Sequence, residues 1–413
     1  METTLSNKVY KSRWIITAAI FMVAVGQCLM LYGVSAFLTT ITEELSLSGA
    51  QVGMFTGLQN LVNMFYFIVG TAVAIKLGTK KCYALGSVLT FVSAILFFIG
   101  SYPSLLAARA VLGIGQGMTL SLVAAVFNQV FGADKKGATL ATGIYGAGAY
   151  FGRYVSLAIT FPIMRIVGSW QRTFFVLGLV GLIGTVLWLV AYPSAEEYQG
   201  RNKESSALSE TISAWKTAWK NSTVRKFAMY FLCSGFSGVV FNTFSVALII
   251  YKFGFEASVA SGAVAYSGLA GMAGSLLGGF VASRSRVKNV IIPAEFISGF
   301  CMISVCFLKD PSIGLLCAIV SLHGFCNGAQ SCNNISLMYK QTDLSTQEIV
   351  GGISLIMTLF KFSCYLTTQI FGMVYPSIGM DKAMLIWAIP VLVGACIVCT
   401  IKEPKISELK EQA

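Results

Sequence analysis

The chain has 413 residues, 56% of them hydrophobic and only 11% charged, with a formal net charge of +12. A soluble domain carries roughly 25% charged residues, so this balance excludes a soluble globular protein and indicates an integral membrane protein. The positive charge alone would suit a nucleic-acid partner, but its placement along the chain points to membrane orientation, and no nucleic acid is expected.

Twelve apolar runs follow one another, each bounded by polar or turn residues: 14–40, 51–75, 82–101, 103–131, 138–166, 173–192, 226–250, 257–282, 289–308, 311–338, 347–374 and 381–401. A bilayer span needs about 20 mostly apolar residues, so each run is read as a transmembrane helix. The first run lacks a small-residue cleavage site behind it and is expected to be retained. Connections are short except for the polar stretch 193–225, which divides the runs six and six. The predicted fold is an all-α membrane protein of twelve helices in two pseudo-symmetric bundles, 1–192 and 226–413, joined by a cytoplasmic linker at 193–225. In that linker Trp215 and Trp219 lie four apart beside Lys216 and Lys220, a pattern that suits a short amphipathic helix at the membrane interface. The 11 cysteines fall in apolar segments or at their edges and read as small hydrophobes, neither disulfides nor metal ligands.

With both termini on one side, 21 of the 29 basic residues fall on that side. Five (Arg165, Arg172, Lys252, Lys309, Lys382) fall on the other, and three (Arg109, Arg153, Lys361) lie inside spans. Lysine and arginine concentrate on the cytoplasmic side, so both termini are expected there, in a cell membrane.

Arg153 sits near the middle of a run without acidic residues, and Lys361 about 14 residues after Glu348. At 1.5 Å per residue each lies ~20 Å in, near the bilayer midplane. A guanidinium at that depth costs ~2.5 kcal/mol or more and is expected to face a protein interior or a watered cavity. Two cations converging from the two halves repel each other, and an anion, above all a dicarboxylate, relieves the repulsion. Arginine can hold a carboxylate through two parallel hydrogen bonds. Tyr150 and Tyr154 flank Arg153, and Tyr365 follows Lys361 by one turn, which suits an aromatic wall. Gln27, Gln59, Asn63, Gln116, Asn242, His323 and Asn327 are the polar residues at similar depth; singly, each is more often an interhelical hydrogen bond. His323 and Asn327 share a helical face.

The two halves echo each other. The connection after the second run reads Lys76-Leu77-Gly78-Thr79-Lys80-Lys81, and that after the eighth reads Arg284-Ser285-Arg286-Val287-Lys288. The fourth and tenth runs open on Tyr102-Pro103-Ser104 and Asp310-Pro311-Ser312. Six-plus-six duplication with a long central loop is the pattern of a carrier built from two parallel repeats. On these features the chain resembles the major facilitator superfamily over nearly its full length. That family's signature G-x-L-A-D-R-x-G-R-K is degraded here: Lys76, Gly78 and Lys80 fit, while Ile75 and, in the second copy, Ser283 replace the aspartate. Its signature R-x-x-x-G-x-G-x-G is kept as Arg109, Gly113, Gly115 and Gly117. Arg13-Trp14-Ile15-Ile16, the stretch Tyr32-Gly33-Val34-Ser35-Ala36-Phe37 and Lys361 resemble the oxalate/formate antiporter and monocarboxylate transporter branch. The chain departs from the oxalate carrier in the eighth span, where Ser275 stands in place of a midmembrane arginine.

The resemblance implies a secondary active transporter working by alternating access, with no cofactor and no enzymatic reaction, as a monomer in the bilayer. It implies that the first, fourth, seventh and tenth spans line a cavity, which favours Gln27, Gln116, Asn242 and His323. It gives Arg109, Lys76, Gly78 and Arg284 conformational roles. The branch implies a small organic anion, a mono- or dicarboxylate, taken by exchange or by proton symport. A drug/proton antiporter of the same superfamily is the alternative, but such exporters carry Gly-Pro in the fifth span where this chain has Gly152-Arg153. Gly143, Gly146, Gly148 and Gly152, with Gly268, Gly271, Gly274 and Gly278, are expected to form a smooth seam between the halves. Glu295, the one intramembrane acid, is expected to pair with Arg284 or Lys288, and His323 could titrate near neutral pH.

Overall fold

The computed structural model describes residues 2–132, 134–193, 207–339, 341 and 344–403. Arg201, Lys203, Lys340, Lys405, Lys410 and the first part of the expected linker lie outside the described residues, as do the side chains of Lys8, Lys11, Lys135 and Lys136. The helices run in chain order as α1 (Glu2–Glu44), α2 (Gly49–Leu77), α3 (Thr79–Ile99), α4 (Tyr102–Phe131), α5 (Lys135–Val167), α6 (Trp170–Ala191) and α7 (Ala207–Lys220). They continue as α8 (Ser222–Phe253), α9 (Ala257–Arg284), α10 (Lys288–Phe307), α11 (Ile313–Tyr339), α12 (Thr346–Ile378) and α13 (Met380–Thr400). The twelve apolar runs become α1–α6 and α8–α13. α1 begins earlier than its run, because the polar residues ahead of it continue the helix. Among the described residues, ten of these helices are apolar and long enough to cross a membrane on composition alone. α2 and α5 complete the twelve; α5 is diluted by its glycines, its tyrosines and Arg153.

The Trp215–Lys220 segment is helical, as its spacing predicts. α7 seats Ala218 in an apolar cluster with Val224, Phe227 and Ile356 and leaves Trp219 exposed. α5 and α12 are the longest helices after α1, 33 residues each, or about 50 Å. Each ends on a glycine at positive φ, Gly168 at 84° and Gly379 at 91°, a backbone region that side chains with a Cβ avoid.

Close contacts group the chain into two compact units, 1–34 with 58–208 and 35–57 with 209–413. The first is cored by stacked aromatics. Trp188 lies 4.2 Å from the Tyr83 ring and 4.3 Å from Tyr192, and its indole N–H donates to the Lys80 carbonyl at 3.0 Å. In the second, Gly49, Gly53 and Gly57 of α2 bring that helix against Gly372, Gln369 and Thr368 of α12. The Gln369 amide donates to the Ala50 carbonyl at 3.1 Å. This contact places residues 35–57 with the second unit.

The glycines of α9 correct the expected seam. Gly274 and Gly278 lie on the Phe325 and Ala329 backbones of α11, and Gly324 and Gly328 of α11 lie on Ser267 and Gly271 in return. The small faces of α9 and α11 therefore interlock inside one unit. On α5, Gly148 and Gly152 pack on Phe21, Val25 and Cys28 of α1, while Gly143 and Gly146 face open space. Small residues permit close helix approach, and here α1 takes the glycines of α5 while α11 takes those of α9.

Candidate functional site

Arg153 lies two residues past the midpoint of α5 and is 1% exposed. Its position follows from how α5 meets α1. A Cβ at Gly152 would stand 2.8 Å from the Cys28 Cβ and 3.0 Å from the Val25 Cα, so only glycine allows this approach. Ser156, one turn on, donates to the Leu29 carbonyl at 2.9 Å. Between these two fastenings the guanidinium is carried over the Tyr32 ring, with Cζ 5.1 Å from its centre. A cation over an aromatic face gains about 1 kcal/mol or more where water is excluded.

Lys361 lies one residue before the midpoint of α12. It is partly exposed, and its Nζ stands 5.9 Å from the Phe360 ring centre. α12 docks on α8 as α5 docks on α1. Gly235 of α8 receives the Phe360 ring and Ser363, Ser363 donates to the Leu232 carbonyl at 3.2 Å and Thr367 to the Phe236 carbonyl at 2.6 Å. Tyr365, one turn beyond the lysine, packs on Gly57 of α2.

Of the other polar residues singled out in the sequence, Gln27, Gln59, Gln116 and His323 make interhelical hydrogen bonds. The Gln27 amide donates to the Thr119 hydroxyl at 2.8 Å, tying α1 to α4, and Gln59 donates to Gln116, tying α2 to α4. Asn63 is buried one turn from Gln59. Asn327 points at Gly238 on α8, its Nδ2 3.8 Å from where a Cβ would stand there, and Asn242 follows Gly238 by one turn. Tyr150 and Tyr154 are half-buried on α5. His323 is buried, with Nδ1 2.8 Å from the Ser298 hydroxyl of α10 and its ring 4.3 Å from Phe241 of α8. The residues given conformational roles stand apart from these networks. Arg109 is buried in the second turn of α4, Lys76 is exposed in the last turn of α2, and Gly78 supports a φ of 76° between α2 and α3. Arg284 is exposed, its guanidinium 3.6 Å from the Phe280 ring centre.

Glu295 does not pair as expected. Lys288 gives its ammonium to the carbonyls of Cys399 and Ile401, at 2.8 and 2.6 Å, and Arg284 stacks on Phe280. Seven residues separate Lys288 from Glu295, about 10 Å along the helix, so the lysine at the helix start serves the chain end beside it. Glu295 instead accepts from the Tyr230 phenol at 2.7 Å. Two further residues have no expectation behind them. Tyr32 is the aromatic partner of Arg153, and Asp134 caps α5 by accepting from Gly137 N at 2.8 Å while pairing with Arg13 at 3.1 Å.

Comparison with known proteins agrees with this architecture. The Major Facilitator Superfamily model matches residues 20–368. The chain is 23% identical over 299 residues to an uncharacterized MFS-type transporter, YbcL, of Bacillus subtilis (strain 168), covering 70% of this chain and 71% of that protein. It is also 23% identical over 275 residues to the hexuronate transporter of the same organism, covering 64% of each. Among solved structures it is similar to the nucleoside transporter NupG, with a TM-score of 0.75 at 15% identity over 94% of this chain and 100% of that one. It is similar too to a bacterial homologue of the human lysosomal transporter Spinster in an inward-facing, occupied conformation, with a TM-score of 0.71 at 13% identity over 94% and 96% of the two chains. At such identities the solved structures speak to the fold alone. With the family pattern spanning most of the sequence and a fold shared with solved transporters, the chain belongs to the major facilitator superfamily of membrane transporters.

Proposed function

We propose that this protein is a secondary transporter of a small organic anion, a mono- or dicarboxylate, with Arg153 as the principal charge anchor and Lys361 as the second. The observation that carries the reading is a guanidinium 1% exposed at the middle of a membrane helix, held over Tyr32 in a helix whose sequence has no acidic residue. A fixed cation at that depth is stabilised by an anionic ligand and repels a cationic one. The relative named a hexuronate transporter supports the class, since a hexuronate is a monocarboxylate. Finer placement in the oxalate/formate and monocarboxylate branch, residence in the cell membrane with both termini cytoplasmic, and a monomeric carrier belong to the same reading. Anion exchange and proton symport are its two modes.

The test is uptake by the purified protein in proteoliposomes of D-glucuronate, a hexuronate, and of short mono- and dicarboxylates. Removing one member of a buried, hydrogen-bonded charge pair costs about 2–5 kcal/mol, so Arg153→Ala should lower uptake by roughly 30-fold or more. Lys361→Ala should lower it as well, with both variants eluting as folded monodisperse protein. Undiminished anion uptake by both variants would end the reading, and transport of lipophilic cations by the wild type would replace it with drug efflux.

A further inference from the structure

Glu295 is 0% exposed, in a helix apolar enough to span a membrane, and no ion pair reaches it among the described residues. Two side chains from two other helices, Tyr230 and Gln330, reach it, and a third, Asn334, reaches Tyr230. The Tyr230 phenol of α8 stands 2.7 Å from its Oε1 and 2.8 Å from Asn334 Oδ1 of α11. With its amide nitrogen facing the carboxyl, Gln330 of α11 donates to Oε1 at 2.7 Å and Oε2 at 3.1 Å. The remaining titratable groups nearby are the thiols of Cys233 on α8 and Cys326 on α11. α9 and α13 present no charged group to it among the described residues.

The proton count of this cluster decides its chemistry. A phenol has one proton to give, yet Tyr230 faces two acceptor oxygens at full hydrogen-bond distance. Both contacts are satisfied at once when the carboxyl itself carries a proton: Oε1–H donates to the phenol oxygen, and the phenol donates to Asn334 Oδ1. Without that proton the phenol donates to the carboxylate, and the Asn334 amide must turn so that its nitrogen donates to the phenol. The cluster thus has two complete hydrogen-bond arrangements that differ by one proton and by the orientation of one amide. An anionic carboxylate without a cation at this depth is costly. The two donors from Tyr230 and Gln330 are what make the deprotonated form accessible.

We infer that Glu295, with Tyr230, Gln330 and Asn334, forms a proton-binding site, and that its occupancy switches how α8, α10 and α11 are tied together. Loading turns the phenol from the carboxylate to Asn334, and unloading returns it. The ligand is H⁺, bound at a carboxylate oxygen, with no other bond made or broken. α11 is interlocked with α9 through Gly324 and Gly328, so a change in its fastening to α8 and α10 is passed on to a fourth helix. The coupling step rests on the transport reading above; the proton site does not.

The site is tested without substrate by infrared difference spectroscopy of the protein in lipid, titrated from about pH 5 to about pH 9, a range that carboxyls in water have already left behind. A carboxylic C=O band should disappear as pH rises, be absent in Glu295→Gln, and change frequency in Tyr230→Phe. Identical carbonyl spectra for wild type and Glu295→Gln, or a band unmoved across the range, would overturn the site. Glu295→Asp, which keeps the acid, controls for folding and should retain a titrating band. For coupling, uptake of D-glucuronate driven by a pH gradient should be lost in Glu295→Gln while glucuronate exchange across the same vesicles persists. Gradient-driven accumulation at the wild-type level in that variant would overturn the coupling. If the wild type moves no anion, the anion reading fails and the infrared result still decides the proton site.

Discussion

In α1–α5, Gly148 and Gly152 lie against Phe21, Val25 and Cys28, and Ser156 fastens to the Leu29 carbonyl. In α8–α12, Gly235 receives Phe360 and Ser363, and two hydroxyls fasten to the Leu232 and Phe236 carbonyls. Each pair sets a cation at the middle of a 33-residue helix, a few residues before the fastening hydroxyl. The surroundings of the two cations differ. Arg153 is sealed against a tyrosine of the partner helix, whereas Lys361 is partly exposed beside a phenylalanine of its own helix. The same scaffold therefore holds a rigid planar fork in one repeat and a movable point charge in the other. The two helix pairs pack alike, while the two charges they carry differ in chemistry.

Exchanging the two cation types is the sharpest way to break this comparison. Arg153→Lys keeps the charge and loses the bidentate fork, and should reduce anion uptake about tenfold or more, the scale of one lost charge-assisted hydrogen bond. Lys361→Arg keeps a charge where geometry is less constrained and should stay within a few-fold of wild type. The reverse ranking in proteoliposome uptake would mean that the lysine is the positioned anchor.

Next comes the packing that holds the arginine. Gly152→Val puts a branched side chain where a single Cβ already meets Val25 and Cys28, and overpacking of this kind costs about 1–3 kcal/mol. Gly146→Val, on the open face of the same helix, should cost nothing, since valine exceeds glycine in helix propensity by a few tenths of a kcal/mol. Melting of the purified variants measures both, and equal losses would show that α5 is not held on α1 through Gly152.

These contrasts also show what the sequence could and could not convey. Apolar runs of sufficient length can only be spans, so the helices were legible to within a few residues at most ends, and the depth of Arg153 followed from counting along one of them. Which helix each small face would meet was not legible. The glycines of α5 and α9 recur at similarly close spacings, yet one set packs on α1 and the other on α11, because the choice depends on faces far away in the chain. Glu295 was misassigned for the same reason. Sequence proximity offered Lys288, but its partners Tyr230, Gln330 and Asn334 lie 35 or more positions away and meet it only through packing.

The smallest expected effect lies where the two long helices begin. α5 is capped by Asp134, which accepts from Gly137 N and pairs with Arg13. α12 is capped by a reciprocal box, in which Glu348 N donates to the Ser345 hydroxyl at 3.3 Å while that hydroxyl and Ser345 N donate to the Glu348 carboxylate at 2.7 and 2.9 Å. Glu348 precedes the apolar part of α12, which begins at Gly351. The donors from Ser345, its hydroxyl first, hold the Glu348 carboxyl below the usual glutamate range. A carboxylate depressed in the folded state contributes stability that is fully present above its unfolded value, about 4.3, and is lost as pH falls through the folded one. Melting temperatures of wild type and Glu348→Gln should therefore differ by a small constant amount above about pH 5 and converge as the solution is acidified below that. Because Glu348 is partly exposed, the difference should remain the least of those predicted here. A gap that widened toward acid would mean that the carboxyl is stabilised in its protonated form and that the box does not hold the start of α12.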